Sequence, residues 1–482
     1  MSTLSVLDAA RQLPAAPALV VGQREIAFAE LAERVRERLR NLAPLAGLVG
    51  RAPRTQLVAF SATESLGTLE LIYALLELGQ PFLPLHARLT SEESAQLLAQ
   101  LPVVCEIEPT EQGGCRISER RARPLGAREL GWFQSTPQLA ALPTSGSSGT
   151  PRVVALSRRA FLAAAAASAA QLGWQSDDRW LLCLPLAHIG GLSVLTRCLL
   201  ARRPVVLGEP ARASESPDQR LARAIVDGRP RLLSLVPTQL SALLQLAPGF
   251  VLPTCVRAIL TGGAAASESL LRAAEARGWP VLTSYGMTEA CSQIATQRPG
   301  SVPDAERGSG WPLPGVELRI SEGAIQVRGP TLFSGYLLGP SEPLDREGWF
   351  TTGDLGRIDA AGQLHVSGRS DQMIISGGEN VAPAEVEAAL EACPGVLEAC
   401  VFPVPDPHWG QLVAAGLRLG PGEPALLLES VRCQLERRLA AFKRPRQYAL
   451  VQTFVYGRTG KLDRRATALA LREQLGPDPR GP

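Results

Sequence analysis

The sequence predicts an α/β protein built in two unequal parts: a large N-terminal domain of layered α/β subdomains plus a β-rich subdomain, and a small α+β C-terminal domain. Three observations carry that prediction. The chain has 482 residues, and single hydrophobic cores stop growing at roughly 250–300 residues. Short apolar bursts alternate with helical stretches over the first three hundred or so positions, the signature of strands and crossover helices around a largely parallel sheet. The texture then changes twice, after Gly310 and again after Asp371.

Taken in order, Leu31, Val35 and Leu39 recur every fourth residue with Arg and Glu between them, which predicts an amphipathic helix. Buried strands are expected at 56–60, 103–104, 204–207, 257–260 and 281–282, with helices at 160–172 and 267–277 between them. Short strands and turns follow at 316–320, 324–328 and 363–366. The last part reads as a helix at 383–390, strands at 397–404 and 413–419, and a helix at 425–441. The junction is expected at 369–372, where polar residues separate two apolar strands, giving domains 1–370 and 371–482.

Composition removes several classes of function. Hydrophobic residues at 45% and charged residues at 20% describe a globular chain. With 49 basic against 46 acidic residues there is no global field for nucleic acid, so any bound anion needs a local site. Lysine occurs only at positions 443 and 461, and arginine supplies the rest of the positive charge. The nine cysteines form no CxxC pair and no zinc-spaced cluster, and the N-terminal residues include no apolar leader, so reduced thiols in the cytoplasm are expected. The uncharged stretch 180–196 contains Pro185, Gly190 and Gly191, and prolines punctuate 232–256, so no membrane span is expected.

Five segments carry candidate chemistry. Thr144, Ser145, Gly146, Ser147, Ser148, Gly149 and Thr150, followed by Pro151 and Arg152, combine two glycines, five hydroxyls and a fixed cation. That set suits wrapping a polyphosphate, and it also suits a flexible surface loop; it lacks the Gly-Lys-Ser/Thr ending of a Walker loop. Ser284, Tyr285, Gly286, Met287, Thr288 and Glu289 follow a buried strand, where α/β sheets bind ligands. Glu289 there is either a carboxylate for Mg²⁺ or an ordinary acidic first turn. Asp354 sits in a Thr-Gly-Asp turn and Arg369 in Ser-Gly-Arg-Ser-Asp, a carboxylate for ribose hydroxyls and a fork for phosphate or sugar oxygens. Gly377 and Gly378 offer a place where something narrow passes close to the backbone. Lys461 lies on a glycine-flanked loop near the C-terminus.

In this order and spacing the five segments resemble the ANL superfamily of adenylate-forming enzymes, from about Leu57 onward. One departure is Arg152, where that superfamily's loop usually ends in Pro-Lys. The resemblance implies ATP, Mg²⁺ and coenzyme A, and a small-molecule carboxylic acid activated as its acyl-adenylate. It gives Lys461, Glu289, Thr288 and Arg152 catalytic roles, with Glu289 on the metal. It places Gly262, Gly263 and Ala264 against adenine, joins Tyr285, Gly286, Asp354 and Arg369 to the nucleotide site, and lines a thiol tunnel with Gly377 and Gly378. It further implies a mobile C-terminal domain turning about a hinge at Asp371. Segments 184–193, 234–240, 260–265 and 311–315 are similar to those of ligases that join aromatic keto-acids such as o-succinylbenzoate to CoA. Another aryl- or acyl-CoA ligase, or an enzyme loading a carrier-protein thiol, uses the same chemistry. His188, beside Gly190 and Gly191, is either an acyl-site residue or a packing residue, and Ser193 and Thr238 are candidates to line the acyl pocket. The run from Lys443 to Arg446 either meets CoA phosphates or is a solvated surface.

Overall fold

A computed structural model describes residues 3–45, 55–110, 114–144, 152–246, 250–300, 308–339, 343–376, 379–406, 409–457 and 462–475. The expected layered α/β subdomains are built on two largely parallel sheets. The first has nine strands in the order Trp311–Pro312, Ser292–Thr296, Val281–Met287, Ala258–Thr261, Leu232–Leu235, Trp180–Leu182, Val205–Leu207, Pro17–Val21 and Arg24–Ala27. From Val281–Met287 to Pro17–Val21 every pairing is parallel, and antiparallel strands close both edges. The second has seven strands, with a parallel centre of Gln138–Thr144, Phe82–His86, Leu57–Ala62 and Val103–Pro109 and again antiparallel edges. Sequence periodicity reports only that a strand is buried on both faces, not which sheet it joins, so a chain of two such sheets reads as one.

The helices Leu66–Leu78, Arg158–Leu172 and Ile189–Ala201 lie in the same core as both sheets, packing against Phe60, Leu142, Leu156, Trp180 and Leu182. Helices covered from two sides need apolar residues nearly all round. Leu66–Leu78 buries nine of its residues in a row, Thr68 to Leu76. The amphipathic helix expected from Leu31 and Val35 spans Phe28–Asn41 and buries both. The β-rich part is a four-stranded antiparallel sheet of Glu317–Ser321, Ala324–Arg328, Phe350–Ile358 and Leu364–Arg369. Beyond a 3₁₀ turn at Ser370–Gln372, a five-stranded sheet carries the helices Pro383–Glu391 and Pro424–Arg438 around a separate core of Ile374, Val386, Leu390, Val401, Val413 and Leu435. Among the described residues, no helix is long and apolar enough to cross a membrane, and all nine cysteines are free.

Candidate active site

Among the described residues, Arg152, Tyr285, Glu289, Asp354 and Arg369 come together around the end of the strand Val281–Met287. Thr144 and Arg152 are register partners at the end of the antiparallel pair Gln138–Thr144 and Arg152–Ser157, so these two flanking residues of the hydroxyl-rich segment are held side by side. Ser145, Gly146, Ser147, Ser148, Gly149 and Thr150 themselves lie outside the described residues, as do Gly377, Gly378 and Lys461.

The strand expected to end at Leu282 runs on to Met287, carrying Ser284, Tyr285 and Gly286 within it. Its extension pairs antiparallel with Ser292–Thr296, a partner that local hydropathy does not reveal. A 3₁₀ turn, Thr288–Ala290, then presents Glu289. The Tyr336 hydroxyl donates to Glu289 Oε1 at 2.8 Å, and the Arg152 guanidinium lies 5.8 Å from the centre of the Tyr336 ring. Arg152, Tyr336 and Glu289 are thereby joined although they come from three separate strands and turns. Burial, and then the adjacent carboxylate, push the Tyr336 phenol well above its usual range, so it remains a donor. One carboxylate beside phosphates is the donor set that Mg²⁺ prefers. Glu289 fits that requirement, and the described residues contain no cluster of three or more ligands that would compete with it.

Asp354 and Arg369 are register partners in the four-stranded sheet. The Tyr285 hydroxyl donates to Asp354 Oδ2 at 2.5 Å and Arg369 Nη1 to Oδ1 at 3.3 Å. Burial raises the Asp354 pKa despite both partners. Arg369 also forks onto Asp371, at 3.2 and 3.0 Å, so the expected hinge residue is tied to the same arginine. Gly262 has a reason apart from any adenine: a Cβ there would sit 2.6 Å from the Ser284 carbonyl oxygen. Gly263 adopts φ +81°, which glycine takes without strain; Ala264 follows it on the same exposed turn.

On the other side of the strand ends, His188 is the N-cap position of Ile189–Ala201 and its ring faces His86 at 5.4 Å. His86 ends the strand Phe82–His86 of the second sheet, so the pair bridges the two sheets. Gly191 abuts the Leu184 and Pro185 carbonyls, where a Cβ would approach to 2.4 Å. One turn below Ser193 on the same helix is Arg197, 3% exposed. Its guanidinium lies 5.3 Å from the Trp180 ring centre and donates to Ser292 Oγ at 3.1 Å. Among the described residues no carboxylate pairs with it, and Nε has no partner. Burial lowers its pKa to about 10, still far above neutrality. The adjacent Cys198 and Cys291 thiols are pushed up by burial and stay neutral. Among the described residues, therefore, the site contains a buried cation without a counter-ion.

Arg197, Tyr336 and His86 were not among the residues expected from the sequence. In an arginine-rich chain Arg197 looks like any other; the one available signal was a charge inside the otherwise uncharged helix 189–201. The basic run is absorbed by the small domain itself. Lys443 pairs with Glu385 at 2.6 Å, Arg444 donates to the Leu439 and Glu436 carbonyls, and Arg446 stacks on Trp409.

The sequence model of the AMP-binding enzyme family matches residues 6–337, and that of the AMP-binding enzyme C-terminal domain matches residues 385–461. The likeness thus begins well before Leu57. The 2-succinylbenzoate–CoA ligase of Geobacillus sp. (strain WCH70) is 33% identical over 94% of this chain and 93% of its own length. That of Listeria monocytogenes serovar 1/2a is 32% identical, over 94% and 96%. Among solved structures, the o-succinylbenzoate CoA synthetase of Bacillus subtilis with its acyl-adenylate intermediate superposes with a TM-score of 0.80 at 28% identity, covering 96% of this chain and 97% of the other. The same enzyme with ATP and magnesium ion gives 0.78 at 28% identity, covering 97% and 99%.

Proposed function

The chain belongs to the AMP-binding enzyme family, and from that premise we propose that it is an ATP-dependent acid–CoA ligase that converts 2-succinylbenzoate to its CoA thioester through an acyl-adenylate. The single observation that carries the choice of acid is Arg197. A buried, unpaired guanidinium is expensive unless something brings a counter-charge. An acid with two carboxylates supplies one to be activated and one to meet Arg197; a monocarboxylic acid leaves the cation bare.

The chemistry explains the rest of the set. A carboxylate resists thiol attack because direct substitution would expel oxide. Its attack on the ATP α-phosphate expels pyrophosphate and leaves AMP as a good leaving group; the CoA thiol then displaces AMP at the acyl carbon. The first step crowds anions together and needs fixed positive charge. Arg152 and the loop from Thr144 support that role, as does Lys461 by resemblance. Glu289, with Thr288 beside it, would hold the magnesium that accompanies ATP, which neutralises phosphate charge. Tyr336 connects Glu289, through its hydroxyl, with Arg152, which lies over its ring. Asp354, with Tyr285 and Arg369 on its two oxygens, is the acceptor we assign to the ribose, and Gly286 follows Tyr285 on the neighbouring strand Val281–Met287. Gly262, Gly263 and Ala264 would admit adenine, and Gly377 and Gly378 the pantetheine thiol. Division at 370/371, with Asp371 as the pivot, would let the small domain serve each half-reaction in turn. The nine free thiols support the cytoplasmic setting in which ATP and CoA are abundant.

The test is pyrophosphate release with 2-succinylbenzoate, 4-oxo-4-phenylbutanoate, benzoate and octanoate, with and without CoA. Turnover is expected to depend on CoA and to favour the dicarboxylate by at least about a hundredfold over the phenyl analogue, which lacks only the second carboxylate. Equal turnover of the two would overturn the choice of acid.

A further inference from the structure

We propose that Ser292 is a positioning residue for acid selection: its hydroxyl, held in place by a left-handed turn, aims the Arg197 guanidinium at the second carboxylate of the substrate. The inference rests on the dicarboxylate reading above and adds to it the device that orients the cation.

Two consecutive non-glycine residues, Cys291 at φ +54° and Ser292 at φ +101°, occupy a region that side-chain-bearing residues rarely adopt. The turn has no freedom to relax. It returns the chain from Glu289 into the strand Ser292–Thr296, which pairs back on Val281–Met287 through Met287↔Ser292 and Gly286↔Gln293. The Ser292 carbonyl oxygen is so close to Gly286 that a Cβ at 286 would lie 1.9 Å from it. Backbone strain of this kind persists where the surroundings over-determine it, and it concentrates at functional positions.

The strain places one oxygen. Ser292 Oγ receives the hydrogen bond that Arg197 makes among the described residues, at 3.1 Å, with Ser193 Oγ a further 3.5 Å away. The Ser193 hydroxyl donates to the Gly190 carbonyl at 3.0 Å, and among the described residues it is Ser292 Oγ that lies within hydrogen-bond reach of the cation. The flat face of the guanidinium is set by Trp180, whose indole N–H is itself fixed on Ser234 Oγ at 3.1 Å. A ring under the face and an oxygen at one edge define both the tilt and the rotation of a planar fork. The ring alone defines only the tilt. Glycine at 292 would adopt this φ without strain but would carry no oxygen; serine keeps the strain and gains the acceptor.

The experiment compares Ser292→Ala, which removes the hydroxyl and retains the strain, with Ser292→Gly, which removes both. Each variant is expected to raise KM for 2-succinylbenzoate about tenfold while kcat changes less than threefold. The kcat/KM for 4-oxo-4-phenylbutanoate should move far less, so selectivity for the diacid shrinks in both. Thermal stability should separate the pair, with the glycine variant melting above the alanine variant. Unchanged KM for the diacid in both variants, or an equal rise for the two acids, would overturn the positioning role. If the unmodified enzyme itself fails to discriminate the two acids, the dicarboxylate reading falls and this inference with it. Wild-type discrimination together with unaltered variants removes this inference alone.

Discussion

Replacing Arg197 with methionine separates a cation kept for substrate from a cation kept for structure, because the two predict opposite signs. Methionine has similar length and fills the space between Trp180 and Ser292 without charge. Burial takes the guanidinium from its ordinary value of 12.5 to about 10, which corresponds to about 3 kcal/mol of desolvation that the fold does not return. The sign follows directly: the folded state binds this proton less tightly than the unfolded one, so at every working pH below 10 the charge disfavours folding. Stacking on Trp180 recovers about 1 kcal/mol and the bond to Ser292 about another 1 kcal/mol. Arg197→Met is therefore expected to melt at the same temperature as the parent or a few degrees higher. Its kcat/KM for 2-succinylbenzoate should fall at least about a hundredfold, the loss of a charge-assisted pair. Melting curves with and without the acid, read beside pyrophosphate release, check both halves. In the parent the acid should raise the melting temperature, and in the variant it should not. A variant that melts several degrees lower while keeping its preference for the diacid would refute the reasoning.

Other expectations follow from the same geometry. Lys461→Ala should lower adenylation by at least about a thousandfold yet spare thioester formation from supplied acyl-adenylate; equal loss in both half-reactions would count against its assigned role. Tyr336→Phe unhooks Glu289 from Arg152 and should raise the magnesium concentration needed for half-maximal rate several-fold, measured by titrating the metal at fixed ATP. Glu391, which accepts from the Ala399 amide at 3.1 Å, is pushed up to about 7 by burial first and then by Glu387 and Glu398. A raised carboxyl contributes stability that is complete below its unfolded value and is lost as pH climbs through the folded one. Thermal stability should therefore decline between about pH 4.5 and 7 by at most about 3 kcal/mol, and Glu391→Gln should flatten that part of the profile.

Much of the architecture was legible because its signals are local. The apolar runs at 57–60, 205–207 and 258–260 have no room for polar alternation, and Leu31 and Val35 mark their helix by spacing alone. Membership of a particular sheet was not legible, because the partners of Gln138–Thr144 lie both sixty residues earlier and, through Arg152–Ser157, nearly two hundred later. Among the candidate residues, those with unusual local composition stood out in the sequence: the hydroxyl-rich segment, Glu289, Asp354 and Arg369. Residues defined by what surrounds them did not. Tyr336 matters because Glu289 and Arg152 flank it, and Arg197 because no carboxylate among the described residues does; neither fact has a local trace. Ser292 is an ordinary serine until its backbone angle is known.

The placement of the first strand has a consequence for biosynthesis. Leu19 registers with Val205 and Val21 with Leu207, so the hairpin that finishes one edge of the nine-stranded sheet leaves the ribosome long before its neighbour exists. At ordinary elongation rates of roughly 5–20 residues per second, that hairpin waits about ten seconds or more with an unpaired flank. Moving the first forty-five residues to follow position 207 would shorten the wait and make the sheet assemble in the order in which it is translated.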